Sequence, residues 1–184
     1  MKLTTLILLA TLAAPAAHAV EYRTVLPQQS TIHFEFRQMG VPVKGGFKRF
    51  ATEMAFDPAR PEVARAQIEI DLASIDAGSP EADEESAGKL WFNRSAYPKA
   101  TFVSGQIRAL GDNRYEMRGT LTLKGRSREM SVPVTYMPGK NAATFDGSFV
   151  LRRLDFGIGE GMWADVATVA NEVQVRFRIA STGN

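Results

Sequence analysis

With 184 residues, 45% hydrophobic and 23% charged, the chain fits one globular domain large enough for a real core. A net charge of +2 is too small for a nucleic-acid binder. The sequence contains no cysteine, which excludes disulfides, thiol catalysis, thiolate zinc sites and iron–sulfur clusters. Stability must come from packing and strand pairing.

Residues 1–19 read as an export signal. Lys2 gives a positive start, and Leu3 to Ala14 form an apolar run of about 12 residues, too short to span a bilayer. Ala17-His18-Ala19 places small residues where a signal peptidase reads them. Cleavage is expected after Ala19, leaving a mature domain over residues 20–184 in the periplasm. No cysteine follows the apolar run, so a lipoprotein anchor is excluded.

The mature chain alternates apolar and polar residues almost throughout, which predicts strands. Tyr22 to Leu26 is a candidate first strand. In Thr31 to Phe36, Ile32, Phe34 and Phe36 share one face, while His33 and Glu35 share the other. Phe50 to Phe56 groups Phe50, Met54 and Phe56. Ala66 to Leu72 is very regular, with Ile68 and Ile70 on the apolar face. Ser79 to Gly88 breaks the pattern and predicts a short helix: Ser79 as N-cap, Pro80 at the first position, acids in the first turn, Gly88 as stop. Trp91 and Phe92 follow it. Strands resume over Thr101 to Ala109, Tyr115 to Leu123, Met130 to Tyr136, Phe145 to Leu154 and Val173 to Ile179. Turn signals fall at Pro27 to Ser30, Gly45-Gly46, Asp57-Pro58, Gly111 to Asn113, Lys124-Gly125 and Pro138 to Asn141. Ser181 to Asn184 reads as a loose tail. About eight strands at this spacing, nine with the first, point to an all-β sandwich or barrel.

Little in the residues suggests catalysis. Glu69 and Asp71 lie on the polar face of a strand. His33 is the mature chain's only histidine and should point outward, and no Gly-x-Ser-x-Gly elbow accompanies it. A metal site on one histidine and scattered carboxylates has no motif behind it. Gly157 to Gly161 lacks the Lys-Ser/Thr ending of a phosphate loop, so it reads as a flexible turn or a backbone cradle for an anionic head group. Arg153 and Asp155, two apart, are expected to share the inward face, as an ion pair or as contacts to a polar head group.

Several motifs then carry a resemblance. Gly46-Phe47, Ser74 to Gly78, Leu90 to Asn93, Tyr97 to Phe102, Gly119 to Gly125 and Arg153 to Gly159 occur in the order found in the YceI family. The match runs over almost the whole mature chain. It implies an eight-stranded, antiparallel, lipocalin-like barrel that holds a polyisoprenoid or other long lipid in its lumen, without catalytic residues. The chain departs at Asp83 to Gly88, where many members carry a His-Leu pair. Gly159 to Asp165 is similar to a branch associated with membrane b-type cytochromes.

The resulting expectation is a periplasmic carrier of an isoprenoid lipid, either a polyprenyl phosphate or an isoprenoid quinone, with no other cofactor. Lumen contacts are assigned to Phe34, Phe36, Phe47, Phe56, Ile70, Phe102, Leu121, Phe149 and Phe177. Trp91, Phe92 and Trp163 are expected to close the mouth, with Arg153 and Asp155 near the head group. A second reading is a module that docks on a membrane b-type cytochrome without carrying lipid. A third is an acid-based hydrolase using Asp155, Glu160 or Asp165. The expectation includes no nucleic-acid partner and leaves room for a homodimer.

Overall fold

The alternation predicted from sequence is realised as an antiparallel sheet curled into a barrel. A computed structural model describes residues 20–183. The expected export signal, residues 1–19, lies outside the described residues. The strands are β1 (Tyr22–Val25), β2 (Thr31–Gln38), β3 (Val41–Phe47), β4 (Phe50–Ala55), β5 (Arg65–Asp71), β6 (Ile75–Asp76), β7 (Lys99–Gly111), β8 (Arg114–Leu123), β9 (Arg126–Met137), β10 (Ala143–Arg152) and β11 (Glu172–Gly183). One helix, α1 (Pro80–Ala87), starts as expected: the Ser79 hydroxyl accepts from the Ala82 amide at 3.2 Å.

Neighbouring strands run in the order β4-β5-β7-β8-β9-β10-β11-β2-β3-β6, and β1 pairs with the far end of β11. Tyr22 of β1 also exchanges two backbone hydrogen bonds with Phe56, just beyond β4, at 2.8 and 3.1 Å. The circuit β4-β5-β7-β8-β9-β10-β11-β1 therefore closes one end of the barrel. At the other end β2, β3 and β6 take the place of β1. Closure removes most of the exposed sheet edge.

Three local expectations change. Val41 to Phe47 forms a strand, β3, where the Gly45-Gly46 pair suggested a turn. The turn lies instead at Met39-Gly40, whose φ angles of 48° and 79° suit the tight hairpin between β2 and β3. The C-terminus is not loose through Ser181: that residue is 0% exposed and pairs with Val25. Finally, β10 ends at Arg152, and Arg153–Phe156 is a 3₁₀ turn.

The interior is packed unevenly. Near β1, the rings of Tyr22, Phe56, Tyr115, Tyr136 and Phe145 contact one another with centroids 5.0–5.9 Å apart. Tyr136 donates to the Tyr22 hydroxyl at 2.9 Å. All five residues are at most 8% exposed, so they form a solid plug. Burial of this pair raises the Tyr136 pKa well above the ordinary phenol value. Phe56 touches three of the other rings. Phe56→Ala is therefore expected to lower stability by about 3–5 kcal/mol in urea unfolding, the usual range for a buried aromatic truncation. A loss below about 1 kcal/mol would mean that the plug is loosely packed.

Candidate functional site

Away from the plug, inward-facing hydrocarbon stays partly exposed. Phe50, Met54, Ile68 and Ile70 on β4 and β5, Met130 on β9, Phe149 and Leu151 on β10, and Phe177 on β11 all pack beside the core without being fully buried. Phe34, Phe36 and Phe47 line the same side, with Phe34 and Phe47 rings 5.6 Å apart. These side chains keep part of their hydrocarbon accessible, unlike the fully buried residues of the plug. The β7–β8 wall is tighter: Phe102 and Leu121 are 8% and 9% exposed.

Glycines shape this wall. Phe34 pairs across strands with Gly45, and Phe177 with Gly147. In both pairs the ring lies against the glycine, so that an added Cβ would overlap it. Phe102 lies in the same way on Gly119. Rings laid on bare backbone lean along the wall instead of crossing the lumen. The expected lumen residues thus have different places: Phe34, Phe36, Phe47, Ile70, Phe149 and Phe177 face the partly open region, Phe102 and Leu121 form the tight wall, and Phe56 belongs to the plug. The lumen residues assigned from sequence omitted Phe50, Met54, Ile68, Met130 and Leu151, although alternation grouped Phe50 with Met54 and placed Ile68 on an apolar face.

The opposite end is capped around Arg153. Its side chain is 2% exposed, and all five guanidinium N–H groups reach backbone carbonyls. Nε donates to Ala170, Nη1 to Ile158 and Gly159, and Nη2 to Trp163 and Val169, at 2.6–3.0 Å. Burial lowers its pKa from the ordinary guanidinium value, but arginine stays charged in proteins. Trp91 stacks beside it, 5.8 Å from the guanidinium carbon and 5.5 Å from the Trp163 ring. Trp163 Nε1 donates to Glu85 of α1 at 2.9 Å, and Phe92 meets Phe47 at 6.5 Å. Trp91, Phe92 and Trp163 are thus gathered at this end.

This geometry corrects the expected head-group pair. Arg153 has no donor left for a ligand, and Asp155 is solvent-exposed on the outside. The two do not share a face because the strand stops at Arg152. Nor is Gly157 to Gly161 an open anion cradle. The amides of Gly157 and Ile158 donate to Leu154 and Arg153, and those of Gly159 and Glu160 both donate to the Leu90 carbonyl. The positive φ angles of Gly157 and Gly159, 68° and 72°, let the backbone wrap the arginine.

The remaining acids do not converge either. Glu160 pairs with Lys124 at 3.0 Å and Arg126 at 2.8 Å, and these cations hold its carboxyl below the ordinary value. Asp165 accepts from the Ala167 amide and the Thr168 hydroxyl at 3.0 and 2.7 Å. His33 is exposed, as expected. Among the described residues no three His, Asp or Glu side chains gather as a metal site would require.

An antiparallel barrel with one aromatic end and a partly open apolar middle defines the lipocalin-like class. The match to the YceI-like domain covers residues 24–181, and the chain belongs to that family. Relatives include UPF0312 proteins of Azotobacter vinelandii, 26% identical over 80% of this chain and 79% of that protein, and of Pseudomonas syringae pv. tomato, 29% identical over 71% and 72%. Among solved structures, BcnA of Burkholderia cenocepacia superimposes with a TM-score of 0.83 at 40% identity, covering 86% of this chain and 99% of that one. A polyisoprenoid binding domain from Saccharophagus degradans shares the fold at a TM-score of 0.68 and 15% identity, over 91% and 100%.

Two outcomes are expected from this site. Arg153→Lys, with three donors in place of five, should lower stability by about 3–5 kcal/mol in urea unfolding; a loss under about 1 kcal/mol would contradict its role as the centre of the cap. Gly147→Val should push the Phe177 ring into the lumen. Circular dichroism should then stay β-rich while binding of an apolar fluorescent probe falls, and unchanged probe binding would contradict the glycine argument.

Proposed function

We propose that this protein is a binding protein, not an enzyme, and that it carries one long-chain isoprenoid lipid in its lumen, in the periplasm after removal of the segment before Val20. The observation that carries this reading is the partly exposed inner wall of Phe34, Phe47, Ile68, Phe149 and Phe177 behind a solid aromatic plug. A hydrocarbon chain laid there gains roughly 0.8 kcal/mol per buried CH₂, less the ordering of the chain and the entropy of association. The polyisoprenoid-binding relative of the same fold agrees with a branched, unsaturated chain. A polyprenyl phosphate and an isoprenoid quinone share that tail, and either head group can lie outside the apolar region.

Phe34→Asp places a charge on this wall, where an unpaired carboxylate is heavily disfavoured next to hydrocarbon. Native mass spectrometry of the exported protein should show lipid on the wild type and little or none on the variant, with similar yields of both. Equal lipid loading of the two would contradict the carrier reading.

A further inference from the structure

We infer that the barrel wall has a lateral slit between β9 and β10, and that the ligand's alkyl chain enters and leaves the lumen through it. The inference rests on the carrier reading and adds the route. β8 pairs with β9 along Arg126–Thr135, and β10 pairs with β11 along Ala143–Arg152. Between β9 and β10, however, pairing covers only Val134–Met137 with Thr144–Gly147. Above that point two strand edges face one another with no ladder between them.

The sequence explains where the ladder stops. The Tyr136 amide donates to Asn113, on the β8 side. Backbone groups alternate sides along a strand, so the groups of Thr135 and of residue 133 face β10. Residue 133 is a proline and has no N–H to give. The next rung, Pro133 with Ser148, therefore loses one of its two hydrogen bonds, since only the Ser148 amide can still donate. On the outer face, an open groove of about 450 Å³ runs from this fork across β10, β11 and β2, lined by Pro133, Thr135, Asp146, Ser148, Arg176 and His33, and it meets the Phe177 ring past Gly147.

Both ends of the barrel are closed. The plug fills one end, and the Arg153 cap with its two tryptophans covers the other. The gap between β3 and β4 carries a groove of about 470 Å³ lined by Ile32, Phe47 and Phe50, but there the backbone is stitched to the segment after β5 by Lys48 N to Ser74 O at 3.0 Å and Asp71 N to Arg49 O at 3.1 Å. The slit instead has apolar lips: Met130, Phe149 and Leu151 inside, and Val150, 50% exposed, outside. Its upper end is held by side chains alone, through Glu160 with Lys124 and Arg126, and Arg128 with the Asp155 carbonyl at 3.3 Å. Such a clasp opens more readily than a ladder.

The absence of cysteine makes the test direct. Ser131→Cys with Val150→Cys would be oxidised to tie the lips together. Uptake of a fluorescently labelled geranylgeranyl chain from phosphatidylcholine vesicles is then followed by stopped flow. The tied protein should load and release the chain about tenfold more slowly or worse, and reduction should restore the rate. Pro133→Val, which returns the missing N–H, should also slow loading while leaving the bound amount at equilibrium unchanged. Wild-type uptake rates in both variants would overturn the lateral route alone. A wild-type protein that takes up no chain would overturn the carrier reading and this inference with it.

Discussion

Apolar atoms facing an empty space lose their dispersion contacts on that side, so a hollow barrel has to be stabilised by something other than a complete core. This protein divides the task along the barrel axis. At the β1 end, five aromatic residues pack as a solid block around the Tyr22–Tyr136 hydrogen bond. At the far end, a single buried arginine gathers five carbonyls from the segments after β10. Between these two fixed ends, the wall is supported chiefly by its backbone ladders. The middle can then remain partly unfilled without the barrel collapsing onto itself.

Glycine placement shapes the wall of that middle region. A phenylalanine opposite a bulky residue would be driven toward the barrel axis. Opposite Gly45 and Gly147, Phe34 and Phe177 lie along the sheet instead. The wall thereby keeps aromatic surface for a ligand while giving up little of the space. A glycine normally weakens a strand. Here the covering ring offsets part of that loss by shielding the bare backbone.

Much of the fold was legible in the sequence because period-two alternation is a direct record of which side faces inward. Ala66 to Asp71 and Val173 to Ile179 could hardly be read otherwise, and the cap and acids of α1 were equally plain. Legibility failed where tertiary contacts override local chemistry. Gly45-Gly46 read as a turn, yet pairing with β2 holds both glycines in a strand. Arg153 and Asp155 read as partners because alternation was extended beyond Arg152, the end of β10, into the 3₁₀ turn. Nothing local shows that Arg153 will find five carbonyls, since these come from residues as far as Ala170 in the segment between β10 and β11. Whether inward phenylalanines fill the lumen or lean on its wall depends on the cross-strand register, which alternation alone does not fix.

The central claim concerns space, so the most direct measurement is one that reports space without assuming the ligand. Xenon occupies apolar voids and can be located in pressurised crystals of the delipidated protein. The account predicts xenon against Ile68, Phe149 and Phe177, and none among the rings of Tyr22, Phe56 and Tyr136. Xenon absent from the middle of the barrel, or present only within the plug, would contradict it.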